Sequence, residues 1–242
     1  MPISLKDEAV LVVGASSGIG RAAALLFADA GARVMVSARR QERLDQLRDE
    51  LAGRGHKISV FPADASDPKQ AAALGEAALR ELGRVDILVY ATGTNTPNRY
   101  LDKLTPPVWD ELINVNLNGA FYVTHAILPS MRAAKKGLLI YVSSISGQTP
   151  DVSGSAYQAS KRGMIGLAHA IRVEEKENGI RTCALCPGLV ETEILEKRPV
   201  KPSRELLDKA LQPEDVAETI FAVAQLPPRI NISEITVVPT LI

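Results

Sequence analysis

Cysteine and histidine are scarce in this chain of 242 residues, which has two of the first and three of the second. Cys183 and Cys186 have C-x-x-C spacing, but their segment has the character of a β-strand. Residues i and i+3 of a strand lie roughly 10 Å apart on opposite faces, whereas a disulfide needs Cα atoms within about 7 Å. No second cysteine pair completes a zinc site, and His56, His125 and His169 share no metal-ligand spacing. We expect buried thiols and no metal.

The chain also lacks an excess of either charge and any long apolar run. Its 28 Lys and Arg balance 28 Asp and Glu, and 46% of its residues are hydrophobic. Broad nucleic-acid binding needs a basic face, and disorder needs low hydrophobicity with high net charge. No apolar run reaches the ~18 residues of a membrane span, and the first residues show no signal-peptide stretch. We expect a cytoplasmic globular protein without nucleic-acid or membrane partners.

Short apolar runs alternate with longer amphipathic stretches along the whole chain. The runs indicate strands at 9–13, 34–37, 58–61, 85–90, 138–142, 182–186 and 235–238. The stretches between them indicate helices at 18–30, 41–53, 68–82, 106–133, 155–178 and 213–225. Strands rich in Val, Ile and Leu with little polar alternation are typical of a parallel sheet covered on both faces. The alternation predicts one α/β domain over residues 1–242, with a doubly wound, seven-stranded parallel sheet flanked by helices.

A glycine-rich turn follows the first predicted strand. Gly14, Gly18 and Gly20 lie between the strand and a helix. Such glycines permit a tight turn, close approach of backbone to a pyrophosphate, and close packing of helix on strand. The helix start adds free N–H groups and a positive dipole end. The turn predicts a dinucleotide site that also includes Ser16, Ser17 and Ile19; an ordinary glycine-rich turn is the alternative.

The end of the second predicted strand bears on which dinucleotide is bound. An acidic side chain about 20 residues past the glycine turn takes the ribose hydroxyls in NAD-binding versions. Here Ala38 is followed by Arg39 and Arg40, and a guanidinium pairs well with a phosphate. We hypothesise an NADP(H) cofactor, with Arg39 as the main 2′-phosphate contact and Arg40 assisting. The alternative is that both arginines are exposed residues at a helix start.

A tyrosine and a lysine share one face of the predicted helix 155–178. Tyr157 and Lys161 are i and i+4, one helical turn apart, and Ser144 ends the preceding strand. A free tyrosine has a pKa near 10, and a nearby ammonium lowers it. The phenol is then suited to general acid–base chemistry at a carbonyl or alcohol. A serine hydroxyl can hold the carbonyl oxygen.

Together these motifs resemble the short-chain dehydrogenase/reductase family in its tyrosine-dependent form, which implies a Rossmann-type fold. The likeness covers almost the whole chain and is carried by residues 14–20, Asp64, Asn116, Ser144, Tyr157-x-x-x-Lys161, Pro187-Gly188 and Thr192. The resemblance implies that Tyr157 is the acid/base and that Ser144 positions the carbonyl. Lys161 would tune Tyr157 and bind nicotinamide ribose hydroxyls, and Asn116 would hold a relay water. Asn114 and Asn118 remain alternatives to Asn116.

The resemblance also implies further cofactor contacts. Asp64 and Ala65 match the adenine corner, although helix capping is the alternative for Asp64. Pro187, Gly188, the Val190 backbone and the Thr192 hydroxyl match the segment that closes over nicotinamide. The family usually has Asn-Asn-Ala-Gly after its fourth strand, and this chain has Tyr90-Ala91-Thr92-Gly93 instead. Ala91 and Gly93 keep the backbone that approaches the cofactor, so altered stability is expected more than lost activity.

Substrate specificity is expected to depend on three loops, at 93–98, 146–151 and 189–204. Their candidate substrate residues are Thr94, Asn95, Ser146, Gln148 and Leu195. Cations at 197, 198 and 201 could attract an acidic substrate, or could simply be solvated.

We predict an NADP(H)-dependent enzyme that reduces an aldehyde, ketone or 3-oxo compound, or catalyses the reverse. The alternatives are an NAD-linked alcohol dehydrogenase, a 3-oxoacyl thioester reductase and a non-catalytic NADP-sensing module. Trp109 and Phe121 are assigned to the core or to a subunit interface. The resemblance implies a homo-oligomer, a dimer or tetramer.

Overall fold

Seven strands form one sheet in the computed structural model, which describes residues 2–242. They are β1 (Ala9–Val13), β2 (Arg33–Ala38), β3 (Ser59–Pro62), β4 (Ile87–Tyr90), β5 (Gly137–Val142), β6 (Ile180–Pro187) and β7 (Glu234–Val237). Their order is β3-β2-β1-β4-β5-β6-β7, and every neighbouring pair is parallel. The predicted α/β fold is confirmed. The winding reverses between β1 and β4, and ligands of such sheets bind at the strands' carboxyl ends there.

Helices cover both faces of this sheet. They are α1 (Gly18–Asp29), α2 (Gln41–Gly53), α3 (Pro68–Leu82), α4 (Pro106–Ile113), α5 (Gly119–Ala134), α6 (Ser155–Glu174), α7 (Arg204–Leu207) and α8 (Pro213–Ala224). The buried residues form two apolar clusters, one with α1, α2 and α8 and the other with α3, α5 and α6. Among residues 2–242, no helix is both long and apolar enough to cross a bilayer.

The structure divides two of the predicted helices. The stretch 106–133 forms α4 and α5, with a π-helical turn, Asn114–Asn118, between them. A π-turn adds one residue to a helical turn, and such insertions are frequent at functional sites. The stretch 155–178 forms α6, which ends at Glu174, and a separate 3₁₀ turn at Lys176–Asn178. The short α7 was not predicted.

Both cysteines are buried in β6, as predicted. Neither has a disulfide partner, and burial raises the pKa of the Cys183 thiol to about 12 and that of Cys186 to about 11. Thiols with raised pKa values are poor nucleophiles and metal ligands. Within the described part of the chain, no group of His, Cys, Asp or Glu is arranged to hold a metal ion.

Candidate active site

The glycine turn between β1 and α1 packs closely against the end of β4. Gly14 and Gly18 have φ of +91° and +54°, a region that glycine adopts without strain. A Cβ at Gly14 would lie 2.8 Å from the carbonyl carbon of Ala91, and one at Gly20 would lie 2.5 Å from the Gly14 carbonyl oxygen. A Cβ at Gly18 would instead meet the Thr192 side chain at 3.2 Å. The three glycines therefore let the turn pack closely against Ala91 and Thr192.

A cleft of about 540 Å³ runs along the carboxyl ends of the strands. It brings together most of the predicted site residues: Gly14, Ser16, Ser17, Gly18, Ile19, Arg39, Arg40, Asp64, Ala65, Ala91, Gly93, Ser144, Tyr157, Lys161, Pro187, Gly188, Val190 and Thr192. Of the predicted substrate residues, it includes Thr94, Asn95, Ser146 and Leu195. Gly20, Asn116 and Gln148 do not line it. The cleft is thus one continuous site that joins the glycine turn to the tyrosine and lysine.

Tyr157 and Lys161 project from the first turns of α6 toward the end of β5. The Lys161 ammonium is 3% exposed and donates a hydrogen bond to the Val142 carbonyl at 2.8 Å. It lies 5.8 Å from the centre of the Tyr157 ring. Burial lowers the pKa of Lys161 to about 8, which leaves it mostly charged at neutral pH. The adjacent Ser143 hydroxyl donates to the Lys161 carbonyl at 2.8 Å, fixing strand and helix together.

The pKa of Tyr157 differs from the sequence expectation. Burial raises it above its usual value, and Asp151 adds to the effect, while a hydrogen bond with Ser144 and the charges of Arg198 and Arg99 oppose it. The expected lowering by Lys161 does not prevail, because the ammonium is directed to a backbone carbonyl and desolvation of the phenol dominates.

Asn116 lies in the π-helical turn and is completely buried. Its side-chain oxygen accepts from the Thr94 N–H at 2.7 Å, and its amide donates to the Thr94 carbonyl and to Ser160, each at 3.0 Å. Asn114 and Asn118 are hydrogen-bonded to each other at an exposed position. Of the three asparagines, Asn116 alone is directed inward, where its hydrogen bonds connect the loop that follows β4 to α6. Its predicted role of holding a water stays a prediction.

Comparison with known proteins matches this arrangement to one family. A family model described as short chain dehydrogenase matches residues 8–202. The chain belongs to the short-chain dehydrogenase family. The members of this family are oxidoreductases that use a nicotinamide cofactor, and the serine, tyrosine and lysine of this chain face the cleft with its glycine turn.

Several members of the family are similar over nearly their full length. A 3-oxoacyl-(acyl-carrier-protein) reductase of Thermotoga maritima is 36% identical over 225 residues, which is 91% of either chain. A metagenomic short-chain oxidoreductase solved in complex with NADP has a TM-score of 0.85 and 33% identity, covering 99% of this chain and 100% of that one. The closed form of serine dehydrogenase complexed with NADP+ has a TM-score of 0.85 and 30% identity, covering 94% and 93%.

The two arginines after β2 differ in their surroundings in this short-chain dehydrogenase. Arg40 is fixed on the glycine turn, where it donates to the Ser16 and Ser17 hydroxyls and to Glu193 at 2.7–3.1 Å. The ion pairs with Arg40 and Arg43 lower the pKa of Glu193 to about 2. The side chain of Arg39 is 64% exposed, and its nearest acid is Asp64, at 3.9 Å. Arg39 is therefore the less constrained of the two.

The alternative capping role of Asp64 is taken by a neighbour. Asp67 caps α3, accepting from the backbone N–H groups of Lys69 and Gln70 at 2.8 and 3.2 Å. Asp64 accepts from both the N–H and the hydroxyl of Ser66. It closes the turn after β3 and lines the cleft, which is compatible with the adenine corner implied for it.

The structure does not support Gln148 as a substrate residue. Its side chain is hydrogen-bonded to Glu234 and Thr236 of β7. The loop 146–151 instead directs Ser146 into the cleft, where the Ser144 hydroxyl donates to it at 3.2 Å. Ser146 in turn donates to Asp151 at 2.5 Å. Gln148 therefore connects its loop to the edge strand β7, while Ser146 and Asp151 line the cleft.

The cleft also includes polar residues that were not among the predicted site residues, among them Arg99, Asp151 and Ser153. The predicted substrate loop ended at residue 98, one position before Arg99, and Arg99 has no neighbour in the sequence that distinguishes it from a surface arginine. Of the noted cations, Lys197 and Arg198 line the cleft, whereas Lys201 forms an ion pair with Glu196 away from it.

Proposed function

We propose that this short-chain dehydrogenase is an NADP(H)-dependent reductase of aldehydes, ketones or 3-oxo compounds, or the corresponding alcohol dehydrogenase in reverse. The observation that carries the proposal is that Ser144, Tyr157 and Lys161 line the same cleft as the glycine turn. A binding module that only senses the nucleotide has no need of a proton donor beside a hydroxyl that can hold a carbonyl oxygen.

The cleft fits a dinucleotide because its glycine turn lets a pyrophosphate approach the backbone at the start of α1. A nicotinamide cofactor, when bound, supplies or accepts hydride. Tyr157 is assigned to deliver the proton to the carbonyl oxygen, or to remove it from the alcohol. Ser144 is placed to hold that oxygen through its hydroxyl, and Lys161 to bind ribose hydroxyls. The Val190 backbone and the Thr192 hydroxyl would bind the nicotinamide carboxamide.

NADP(H) is favoured over NAD(H) by the charges at the end of β2. Ala38 stands where an acid would bind ribose hydroxyls, and the exposed guanidinium of Arg39 lines the same part of the cleft. Arg40 is adjacent and is already bound to Ser16, Ser17 and Glu193. The two similar structures named above were solved with NADP or NADP+. We therefore assign the 2′-phosphate to Arg39, with Arg40 shaping the pocket.

Arg39→Asp is expected to raise the KM for NADPH by about 10- to 100-fold while changing that for NADH far less. A hydrogen bond to a charged group contributes about 1.5–3 kcal/mol, and an acid would also repel the phosphate. Initial rates with both nucleotides measure the effect. Arg48→Asp is the control, because Arg48 lies on α2 and pairs with Asp45 and Asp49. Equal changes in KM for NADPH and NADH would contradict the assignment of the 2′-phosphate to Arg39.

The reaction is tested by following NADPH oxidation across aldehydes, ketones, semialdehydes and 3-oxoacyl thioesters. Reduction of any of these supports the proposal. A 3-oxoacyl thioester as the best substrate would favour the activity for which the Thermotoga maritima relative is named. Tight NADPH binding with no oxidation across the panel would favour the nucleotide-sensing module instead.

We also propose that the chain self-associates. Trp109 and Phe121, on α4 and α5, are 36% and 48% exposed, so the interface alternative is favoured over the core for both. Light scattering at micromolar concentration is expected to give the mass of a dimer or tetramer. The mass of one chain would contradict self-association.

A further inference from the structure

The substrate end of the cleft contains an unusual concentration of positive charge. Arg99, Lys197 and Arg198 all line it, and Arg99 is only 5% exposed. Among residues 2–242, no carboxylate oxygen lies within 4.0 Å of any of these three cationic groups. Burying a charge without an opposite charge is costly. A buried arginine with no carboxylate oxygen within 4.0 Å is therefore an incomplete ion pair.

The guanidinium of Arg99 is held in place and keeps donors free. Its Nε donates to the Thr96 carbonyl at 3.1 Å, and its Nη2 donates to the Lys197 carbonyl at 2.8 Å. An arginine has five N–H donors, so three remain, on Nη1 and Nη2. Two terminal nitrogens with free donors are what a carboxylate binds through both of its oxygens. The arginine is thus oriented before any ligand arrives.

The backbone around Arg99 fixes this orientation further. Gly154, with φ of +92°, packs directly on it, and a Cβ there would lie 2.5 Å from the Arg99 carbonyl oxygen. Lys197 is also tied to the opposite loop, since its ammonium donates to the Thr94 hydroxyl at 2.5 Å. The loop 93–98 and the segment 189–204 are therefore joined through Arg99 and Lys197, on either side of the substrate space.

The acids near the cleft do not neutralise this end. Asp151 accepts from the Ser146 hydroxyl and, at 2.8 and 3.1 Å, from the backbone and hydroxyl of Ser153. Glu193 is paired with Arg40 and Arg43 toward the glycine turn. Three cationic side chains against one acidic side chain that is already hydrogen-bonded, Asp151, leave the substrate end positive.

We propose that the substrate of this enzyme carries a carboxylate, bound by Arg99 as the principal anchor with Lys197 and Arg198 beside it. The inference rests on the proposed carbonyl reduction and narrows its substrate class to small oxo acids or, in reverse, hydroxy acids. Arg99, Arg198 and Tyr157 all line this cleft, so the anionic end of such a substrate binds in the same cavity as the proton donor.

The experiment compares each oxo acid with its own methyl ester, which removes the charge and adds one methyl group. Succinic semialdehyde and acetoacetate are the probes, with NADPH oxidation giving kcat and KM. The wild-type enzyme is expected to favour the acid of at least one pair by about 10-fold or more in kcat/KM, since a hydrogen bond between charged groups is stronger than one to a neutral ester.

Two substitutions of Arg99 and one control test the anchor. Arg99→Gln is expected to lower kcat/KM for that acid about 100-fold and for its ester only a few-fold, mainly through KM. Arg99→Lys keeps the charge without the fork and is expected to recover part of the loss. Lys201→Gln, on the same segment but paired with Glu196, is expected to leave both substrates unaffected. Equal losses for acid and ester in Arg99→Gln would show a purely structural role and overturn the proposal.

A binding measurement separates this inference from the proposed function. Calorimetry with each acid and ester, with NADP+ present, reports recognition even where no carbonyl is reduced. Binding of an acid but not its ester, without turnover, supports the anion site while contradicting the proposed reaction. Turnover of neutral carbonyls together with failure of every acid to bind better than its ester supports the reaction and overturns the carboxylate assignment.

Discussion

Tyr157→Phe is expected to lower turnover by about 100- to 10,000-fold, the usual contribution of a positioned general acid. The substitution removes the hydroxyl that delivers the proton and keeps the aromatic ring against α6. NADPH affinity is expected to change little, because the cofactor residues of the glycine turn and of β2 are untouched. Stopped-flow NADPH oxidation and a fluorescence titration of NADPH measure the two quantities separately.

Tyr122→Phe is the matched control for this substitution. Tyr122 lies on α5 and does not line the cleft, so the same loss of a hydroxyl there is expected to leave turnover near the wild-type value. Full turnover in Tyr157→Phe would refute the proton-transfer assignment. Lost NADPH binding in the same variant would instead show that Tyr157 acts chiefly by holding the cofactor.

The parallel sheet was predictable because its signal is local. Strands buried on both faces leave a continuous apolar run, and each predicted strand matches an observed one to within about two residues at either end. The glycine turn, Ser144, Tyr157 and Lys161 were found for the same reason, since their spacing is short or is fixed by one helix. What a single element determines can be inferred from a single sequence.

The remaining features depend on contacts between distant segments. Arg99 belongs to the cleft because its guanidinium reaches the carbonyl of Lys197, 98 residues away along the chain. Gln148 was predicted to contact substrate from its loop position, yet it reaches Thr236, 88 residues away. The periodicity of apolar residues is not interrupted between α4 and α5, so nothing in the pattern indicates the π-helical turn. Side-chain direction in loops is set by tertiary packing, which neither composition nor periodicity encodes.

Tyr90, the residue that replaces the first asparagine of the family pattern, also has contacts with a distant segment that sequence patterns do not indicate. Its ring is completely buried, and its hydroxyl donates to the Val115 carbonyl at 3.0 Å, inside the π-helical turn. Gly119 begins α5 immediately after that turn, and a Cβ there would overlap the Tyr90 hydroxyl. The tyrosine and the glycine therefore fit together as a pair. Between them they hold the turn from which Asn116 projects.

Gly119→Ala is expected to destabilise the chain by about 1–3 kcal/mol, the usual cost of overpacking a buried site. Tyr90→Phe alone is expected to cost about 1 kcal/mol through the lost hydrogen bond. The double variant is expected to be more stable than Gly119→Ala, because removing the hydroxyl makes room for the added methyl. The rescue is partial, since the Ala65 carbonyl oxygen would still lie 2.9 Å from the new Cβ. Denaturant unfolding of the three variants gives the coupling energy.

Gly53→Ala provides the control for the alanine substitution itself. Gly53 is the last residue of α2, and no atom lies within 4 Å of a Cβ added there, so alanine is expected to be neutral or to stabilise by up to about 1 kcal/mol. Tyr90 and Gly119 are not coupled if Gly119→Ala is tolerated as well as Gly53→Ala. They are also not coupled if the double variant loses the sum of the two single costs. Coupling would instead mean that Tyr90 and Gly119 are matched to each other. Tyr90, which stands in place of the family's asparagine, would then support the π-helical turn through this pair.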